Sequence, residues 1–320
     1  MEKIDKKVLL NSEKRHAYLI LAHNKWKQLA VLLSLLDDVR NDIYIHVDRR
    51  AKDFTDSIRN DLIASVQFSG VFFIPRKNVY WADYSVADVE MDLMSAASSR
   101  CAYSYYHILS GQDLPIKSQD KIHHFFKNET HEFVGMVIDG GSYVEKHTCY
   151  YHLFVNNSIY RNCKPLKAAD RGIMYIQRFL GLKRVYDENL PISTGWQWVS
   201  ITDFFCRYVL SQREFIYKMF HLTLDVDEKF IGTMINKLGD YSRIYHLNTI
   251  GGDTEYRKGC LREIDFHRYN KPIPYVWGSL GKVEDDFKEL IESDCLFARK
   301  FDEDINFEII EMIADYVKPH

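Results

Sequence analysis

Apolar positions along this chain recur in two rhythms. Short unbroken runs, AYLILAH (17–23), NDIYIHVD (41–48), VFFI (71–74) and YYHIL (105–109), read as buried strands of a parallel sheet. Between them apolar residues return at helical spacing. Trp26, Leu29, Leu32, Leu33, Leu35 and Leu36 place a helix over Lys25 to Asp38. Lys52 to Ser65 gives a weaker helix, and Val89, Met91, Leu93, Met94 and Ala97 define one over Val86 to Ser98. Val79-Tyr80-Trp81 offers a further short strand. Strand, helix, strand is the opening of a nucleotide-binding α/β sheet.

The run YYHIL closes this first half. It stops at Ser110-Gly111, where a missing Cβ permits a sharp turn, and Asp113 then carries a carboxylate just past the strand end. Ser118 is placed to cap a helix holding Ile122, Phe125 and Phe126. From about residue 128 the rhythm is less regular. Glu132 to Val137, Lys146 to Val155, Gly195 to Val199, Ile244 to Ile250 and Cys260 to Phe266 read as strands. Helices are expected over Gly172 to Leu182, Thr202 to Gln212, Asp227 to Leu238, Glu284 to Glu292 and Phe307 to Val317. No repeat, low-complexity tract or Pro/Gly linker divides the chain. One continuous α/β domain over 1–320 is expected, its second half packed on its first.

Composition changes this picture little. A net charge of -3 gives no electrostatic case for nucleic acid, and 46% apolar residues can fill a sizeable core. The 21 Tyr and 19 Phe suit sugar-stacking surfaces and cores alike. Six scattered cysteines without C-x-x-C spacing read as reduced, mostly buried thiols of a cytoplasmic protein. The first residues hold too short an apolar run for a leader or an anchor, and no later stretch is long enough to span a membrane. Peripheral association with a membrane stays open.

Four stretches could carry chemistry. Asp48, closing His46-Val47-Asp48, suits hydrogen bonds from a ribose or a base, and equally a solvated strand end. Asp113 stands without the second carboxylate that a cation bridging a diphosphate requires. Two D-x-D matches, Asp225-Val226-Asp227 and Asp302-Glu303-Asp304, lie beside expected helix starts, where acids are favoured without any metal. In Asp227-Glu228, Glu228 falls in an expected first helical turn, which would hold it ionised and oriented as a general base needs. An acidic helix start with no further role fits the same dipeptide. Phe297-Ala298-Arg299-Lys300-Phe301 sets two cations between aromatics, suited to a departing diphosphate or to an ordinary surface.

The order of the pieces says more than any one of them. AYLILAH, IYIHVDRRA (43–51), VYWADYSVAD (79–88), YHILSGQDLPIKS (106–118), GWQW (195–198), VDEKFIGTMI (226–235) and FARKFD (297–302) together resemble glycosyltransferase family 14. That family comprises the core-2/I-branching β-1,6-N-acetylglucosaminyltransferases and the peptide O-xylosyltransferases. The resemblance implies a GT-A-like fold with a Rossmann-like nucleotide-binding half (about 15–127), a mixed sheet, and an acceptor-binding and catalytic half (about 128–320). It implies inverting, metal-independent transfer from a UDP-sugar to a glycan or other hydroxyl acceptor, with no cofactor. UDP-N-acetylglucosamine is the expected donor. UDP-xylose on the same fold, or a non-catalytic carbohydrate-binding protein, are the alternatives.

By the same resemblance Glu228 is the catalytic base and Lys300 the cation that meets the phosphates. His23, His46, Asp48, Trp81, Asp113 and Arg299 would surround the UDP-sugar, and Trp196, Gln197, Trp198 and Asp227 the sugars of the acceptor side. The chain departs from the family pattern at three places. Val226 replaces a Pro, and Trp196 replaces a small residue, which narrows the acceptor pocket or stacks a different sugar. The region PYVWGSLGKVEDD lacks the family's second phosphate-binding Arg, leaving Arg299 or Lys282 as substitutes. The anchor and disulfide pattern of lumenal members is missing, which points to a bacterial-type relative.

Overall fold

Four parallel strands and one antiparallel strand build the sheet that positions everything else. The computed structural model describes residues 14–184, 190–247, 252–269 and 273–318. Its first elements are β1 (His16–Ala22), α1 (Trp26–Leu36), β2 (Asn41–Val47), α2 (Asp56–Ala64), β3 (Gly70–Phe73), α3 (Tyr84–Arg100) and β4 (Tyr105–Ser110). They alternate as the apolar runs and helical stripes predict. Strand β5 (Asp113–Pro115) and helix α4 (Gln119–Phe126) follow, the Ser118 side chain accepting from Lys121 N at the helix start. The sheet has the order β3-β2-β1-β4-β8, with β8 (Ser200–Thr202) antiparallel to β4. This is an α/β fold with a mixed sheet.

Burial explains the continuous apolar runs. One cluster, including Leu29, Leu32, Ile45 and Leu109, packs α1, α4 and the last helices against one face; a second, including Met91, Leu93, Ile108 and Phe205, fills the other. No helix among the described residues is long and apolar enough to cross a membrane.

The second half differs from expectation in instructive ways. After β6 (Met136–Val137), residues of the expected strand Lys146 to Val155 instead complete helix α5 (Gly141–Thr148) and a run of turns. Val144 and Thr148 are buried four residues apart, a helical period that the adjacent tyrosines obscured. Helix α6 (Lys164–Phe179) begins earlier than expected, with Pro165 in its first turn. Within the expected strand Gly195 to Val199 only Gly195 is paired, in β7 (Thr194–Gly195). Helices α7 (Asp203–Ser211) and α8 (Arg213–Phe220) lead to α9 (Phe230–Leu238), so Asp227 and Glu228 lie in the turn before the helix and not in its first turn.

Of the expected strand Ile244 to Ile250, Ile244 makes one bridge to Glu132, and residues 248–250 lie outside the described residues. Helix α10 (Asp253–Cys260) takes the start of the next expected strand, leaving β9 (Arg262–Ile264). Val79 to Trp81 forms no strand, and Trp81 opens a turn. Tyr80 N donates to Ser85 Oγ at 2.9 Å and Val79 O accepts from Arg50, so side chains satisfy what a neighbouring strand would have satisfied. Helix α11 (Val283–Glu292), strand β10 (Phe297–Arg299) and helix α12 (Glu308–Val317) finish the fold, with β5, β10 and β9 forming a small sheet. Asp302 to Asp304 do not start α12. Lys25 Nζ pairs with Asp302 at 2.6 Å and with Asp304, and Glu303 accepts from Gln28 N at 2.5 Å, so these acids fasten the start of α1.

Candidate functional site

Strands β1, β2 and β4 end together, and their exits are tied by the main chain. Asp48 N donates to Ala22 O and Gly111 N to Leu21 O, both at 2.9 Å. Asp48 receives its own neighbour Arg50, through N at 2.9 Å and Nη2 at 2.8 Å. Burial favours its neutral form, but those donors outweigh it and hold the carboxyl below its usual range. His46 sits one step inward and is only 1% exposed; its Nε2 accepts from Lys77 N at 2.9 Å. Burial pushes its pKa down to about 4, so the ring is a neutral acceptor that pins the Lys77 segment beneath the floor. His23 is exposed on that floor. Its pKa is lowered, first by the protein around it and then by Lys300, Arg299 and Arg161, while Asp48 pulls the other way.

The cations reach the floor from β10. Antiparallel pairing sets Arg299 opposite Asp113. Asp113, 2% exposed, accepts from Ser110 N at 2.7 Å, Ser110 Oγ at 3.1 Å and Arg299 Nη1 at 2.6 Å. These donors lock the carboxylate in place, so it fixes Arg299. The guanidinium lies over the Trp198 ring, 4.2 Å from its centre. Lys300 is clamped by its main chain: its N donates to Tyr275 O at 3.2 Å, and its O accepts from Trp277 N at 3.0 Å. Lys300 Nζ makes no hydrogen bond or ion pair with the described residues. Burial, Arg299 and Arg161 lower its pKa, and Asp302 and Asp113 oppose them.

A second wall is the turn that carries Asp225, Asp227 and Glu228. Buried Lys229 holds it from below, Nζ donating to Leu224 O at 3.0 Å and Asp225 O at 2.9 Å. Asp225 N donates to Ala82 O at 2.7 Å and Leu224 N to His147 O at 2.9 Å, tying the turn to the segment after Trp81 and to α5. Tyr143 OH bridges the acids, 2.9 Å from Asp225 Oδ2 and 3.2 Å from Glu228 Oε2. Glu228 is open to solvent yet ringed by protein. Burial, then Asp227 and Asp225, raise its pKa to about 8, against Lys229 and Tyr143. The expectation that a helix start keeps this carboxylate ionised is therefore corrected: outside the helix, its neighbours favour the proton. Burial and Asp225 raise Asp227 as well.

Residues Gly195 to Trp198 join the two walls. Gly195 N donates to Glu228 O at 2.9 Å, and a Cβ at Gly195 would stand 2.0 Å from Gly135 O, so no other residue fits without moving the strand pair. Trp196 N donates to Gly135 O at 2.8 Å, and its ring packs near Tyr256 and Phe266. Gln197 Nε2 donates to Glu90 Oε1 at 2.5 Å. Trp198 ends the segment under Arg299. Glu228 and the Arg299–Lys300 pair are thus connected through four consecutive residues. Trp81, 48% exposed, borders the same region, with Arg161 and Lys167 over its ring at 5.6 Å and 5.1 Å. A cavity of about 450 Å³ opens between Trp81 and Asp225, walled by His147, His152, Lys167 and Arg171.

Sequence reasoning missed Glu90, Tyr143, Lys229 and Arg161. Glu90 had a signal, because it lies on the stripe of Val86, Leu93 and Ala97 at spacings of four and three, where an acid is out of place. It is fully buried, and burial and Asp227 raise its pKa well above the carboxylate range. Tyr143 and Arg161 lay in stretches without periodicity. Among the described residues no three His, Cys, Asp or Glu side chains form a metal-binding group.

Comparison with known proteins gives one strong match. A family model described as Core-2/I-Branching enzyme matches residues 16–254, three-quarters of the chain, stopping before the Arg299–Lys300 segment. No curated protein matches in sequence. Among solved structures, the glycosyltransferase GlyE of Streptococcus pneumoniae TIGR4 is 10% identical with a TM-score of 0.31, over 96% of this chain and 61% of that one. TarS 1-349 of S. aureus is 14% identical with a TM-score of 0.28, over 72% of this chain and 73% of that one. This chain therefore spans less than two-thirds of GlyE.

Proposed function

Because the chain belongs to the core-2/I-branching enzyme family, we propose that it is an inverting glycosyltransferase that moves a sugar, N-acetylglucosamine in the first instance, from a UDP-sugar to an acceptor hydroxyl. The observation that carries this reading is the pairing of two unlike groups. A carboxylate with raised pKa, open to solvent, is linked by Gly195 to Trp198 to a cationic corner whose Lys300 ammonium makes no hydrogen bond or ion pair with the described residues.

Glu228 takes the proton from the acceptor hydroxyl as the oxygen attacks the anomeric carbon from the face opposite UDP. A pKa near neutrality suits a base that must accept a proton during the attack and release it afterwards. The bond from the anomeric carbon to the phosphate oxygen breaks, and negative charge grows on the departing diphosphate. Lys300 meets that charge, with Arg299 held beside it by Asp113. Asp48 and His23 border the nucleotide, Trp81 the donor side, and Trp196 and Asp227 the acceptor. The half-burial of Lys300 strengthens its field at the phosphate, the contribution a divalent cation makes in other transferases.

The test is release of UDP by the purified protein offered UDP-N-acetylglucosamine, UDP-xylose, UDP-glucose and UDP-galactose, each with and without EDTA. Release from the first, unchanged by EDTA, is expected. Preference for UDP-xylose would change the donor and keep the mechanism; abolition by EDTA would remove Lys300 from its role. Binding of UDP-sugars without release would leave a carbohydrate-binding protein.

A further inference from the structure

Helix α6 shows much of its apolar surface to solvent. Its buried side is Asp170, Met174 and Gln177. At about 100° per residue, Tyr175, Ile176 and Phe179 emerge on the other side, and Leu180 and Leu182 extend the patch past the helix end. All five are more than half exposed, Phe179 to 89%. Exposed residues of this size in one continuous patch mark an interaction surface.

The charges beside the patch identify the partner. Lys164, Arg171 and Arg178 run along one flank of the stripe, with Arg161, Lys167 and Lys183 around them. None of the six pairs with a carboxylate among the described residues. The only acid within 161–184 is Asp170, which is buried and held by His152 Nδ1 at 2.6 Å and Tyr160 OH at 3.0 Å. An apolar stripe flanked by cations that have no carboxylate partner among the described residues repels a second copy of itself. It matches a surface that offers hydrocarbon at one depth and phosphate at another.

We propose that the exposed face of α6 and the turn after it dock this protein on an anionic lipid bilayer, with Ile176, Phe179 and Leu182 entering the headgroup boundary and the flanking cations meeting lipid phosphates. The docking does not depend on the reaction proposed above. It adds a consequence: Lys167, Arg171, Met174 and Tyr175 also wall the cavity beside Asp225, so a docked molecule turns that cavity toward lipid-borne acceptors.

The test is co-sedimentation of the full chain with phosphatidylcholine vesicles and with vesicles containing about one-third phosphatidylglycerol. Binding to the anionic vesicles, weak binding to the neutral ones, and release at about 0.5 M salt are expected. Each basic residue near such a surface strengthens binding by about fivefold, so Arg178→Glu with Lys183→Glu should weaken it by about 25-fold or more. Ile176→Ser with Phe179→Ser should abolish it. Neither pair lines the cavity, so UDP release in solution should be unchanged in both. If the serine pair melts early, the charge pair on exposed side chains decides. Equal binding to neutral and anionic vesicles, or to neither, overturns the proposal. So does a dimer in light scattering that the serine pair dissolves, which would make a second copy the occupant.

Discussion

Replacing Tyr143 by Phe removes one hydroxyl from the wall that carries Glu228 and little else. That hydroxyl is 3.2 Å from Glu228 Oε2, and it favours the ionised carboxylate against the burial and neighbouring charges that set its pKa at about 8. A hydrogen bond to a charged group contributes ~1.5–3 kcal/mol. Glu228 is open to solvent, so the figure is discounted to ~1 kcal/mol. At ~1.4 kcal/mol per pH unit, the Glu228 pKa rises by roughly 0.7. The base acts ionised, so the rate climbs with pH and levels off above that pKa. The variant should therefore be roughly fivefold slower near neutral pH and converge with the parent at about two units above the pKa.

The phenol itself stays protonated, since burial and the Glu228 and Asp225 carboxylates push its pKa far up. Asp227→Asn, which removes the larger neighbouring charge, should shift the same limb downward. Initial rates of UDP release at saturating donor, measured across neutral and alkaline pH, give both limbs. Loss by one factor at every pH, or a parental limb in the ordinary carboxylate range, would refute the reasoning.

Three further outcomes follow from the site. Arg299→Ala leaves the buried Asp113 carboxylate without its partner at 2.6 Å and should cost ~3–5 kcal/mol, read as an earlier calorimetric transition. Lys300 Nζ makes no hydrogen bond or ion pair with the described residues, so in Lys300→Ala circular dichroism should be unchanged while kcat falls by about 10²–10³, with partial recovery in Lys300→Arg. Glu228→Gln should stabilise the fold at alkaline pH. A raised pKa means the contribution of the neutral carboxyl is complete below its unfolded value of 4.5 and lost as pH passes about 8. After discounting for solvent this is ~1 kcal/mol, or about 2 °C in Tm above pH 8, vanishing at acidic pH.

The sheet was legible because its strands are buried on both faces and its helices carry one apolar stripe each, so AYLILAH and Leu29 to Leu36 leave little choice. The candidate site was less so. Trp196 to Val199 runs between two sheets and pairs mainly through single main-chain contacts, which no alternation records. Tyr143 meets Glu228 across 85 positions, a distance that local pattern cannot bridge. Asp113 was visible as a carboxylate past a strand end and Arg299 as one of two cations between aromatics, but their mutual pairing depends on the register of β5 and β10. The resemblance set His46 near the nucleotide, but its hydrogen bond from the Lys77 amide, 31 positions away, lies beyond any local pattern. The Asp302 to Asp304 run looked like a helix start because nothing local reveals that Lys25 and Gln28 come to meet it.

The central claim is that one glutamate activates the acceptor while a separate cationic corner holds the nucleotide. It is tested most directly by comparing parent and Glu228→Gln proteins in two readings on one preparation: single-turnover sugar transfer, and UDP affinity by titration calorimetry. The account predicts transfer slowed by about 10²–10⁴-fold with UDP affinity within about twofold. A variant that transfers as fast as the parent, or one that loses UDP binding along with transfer, would contradict it.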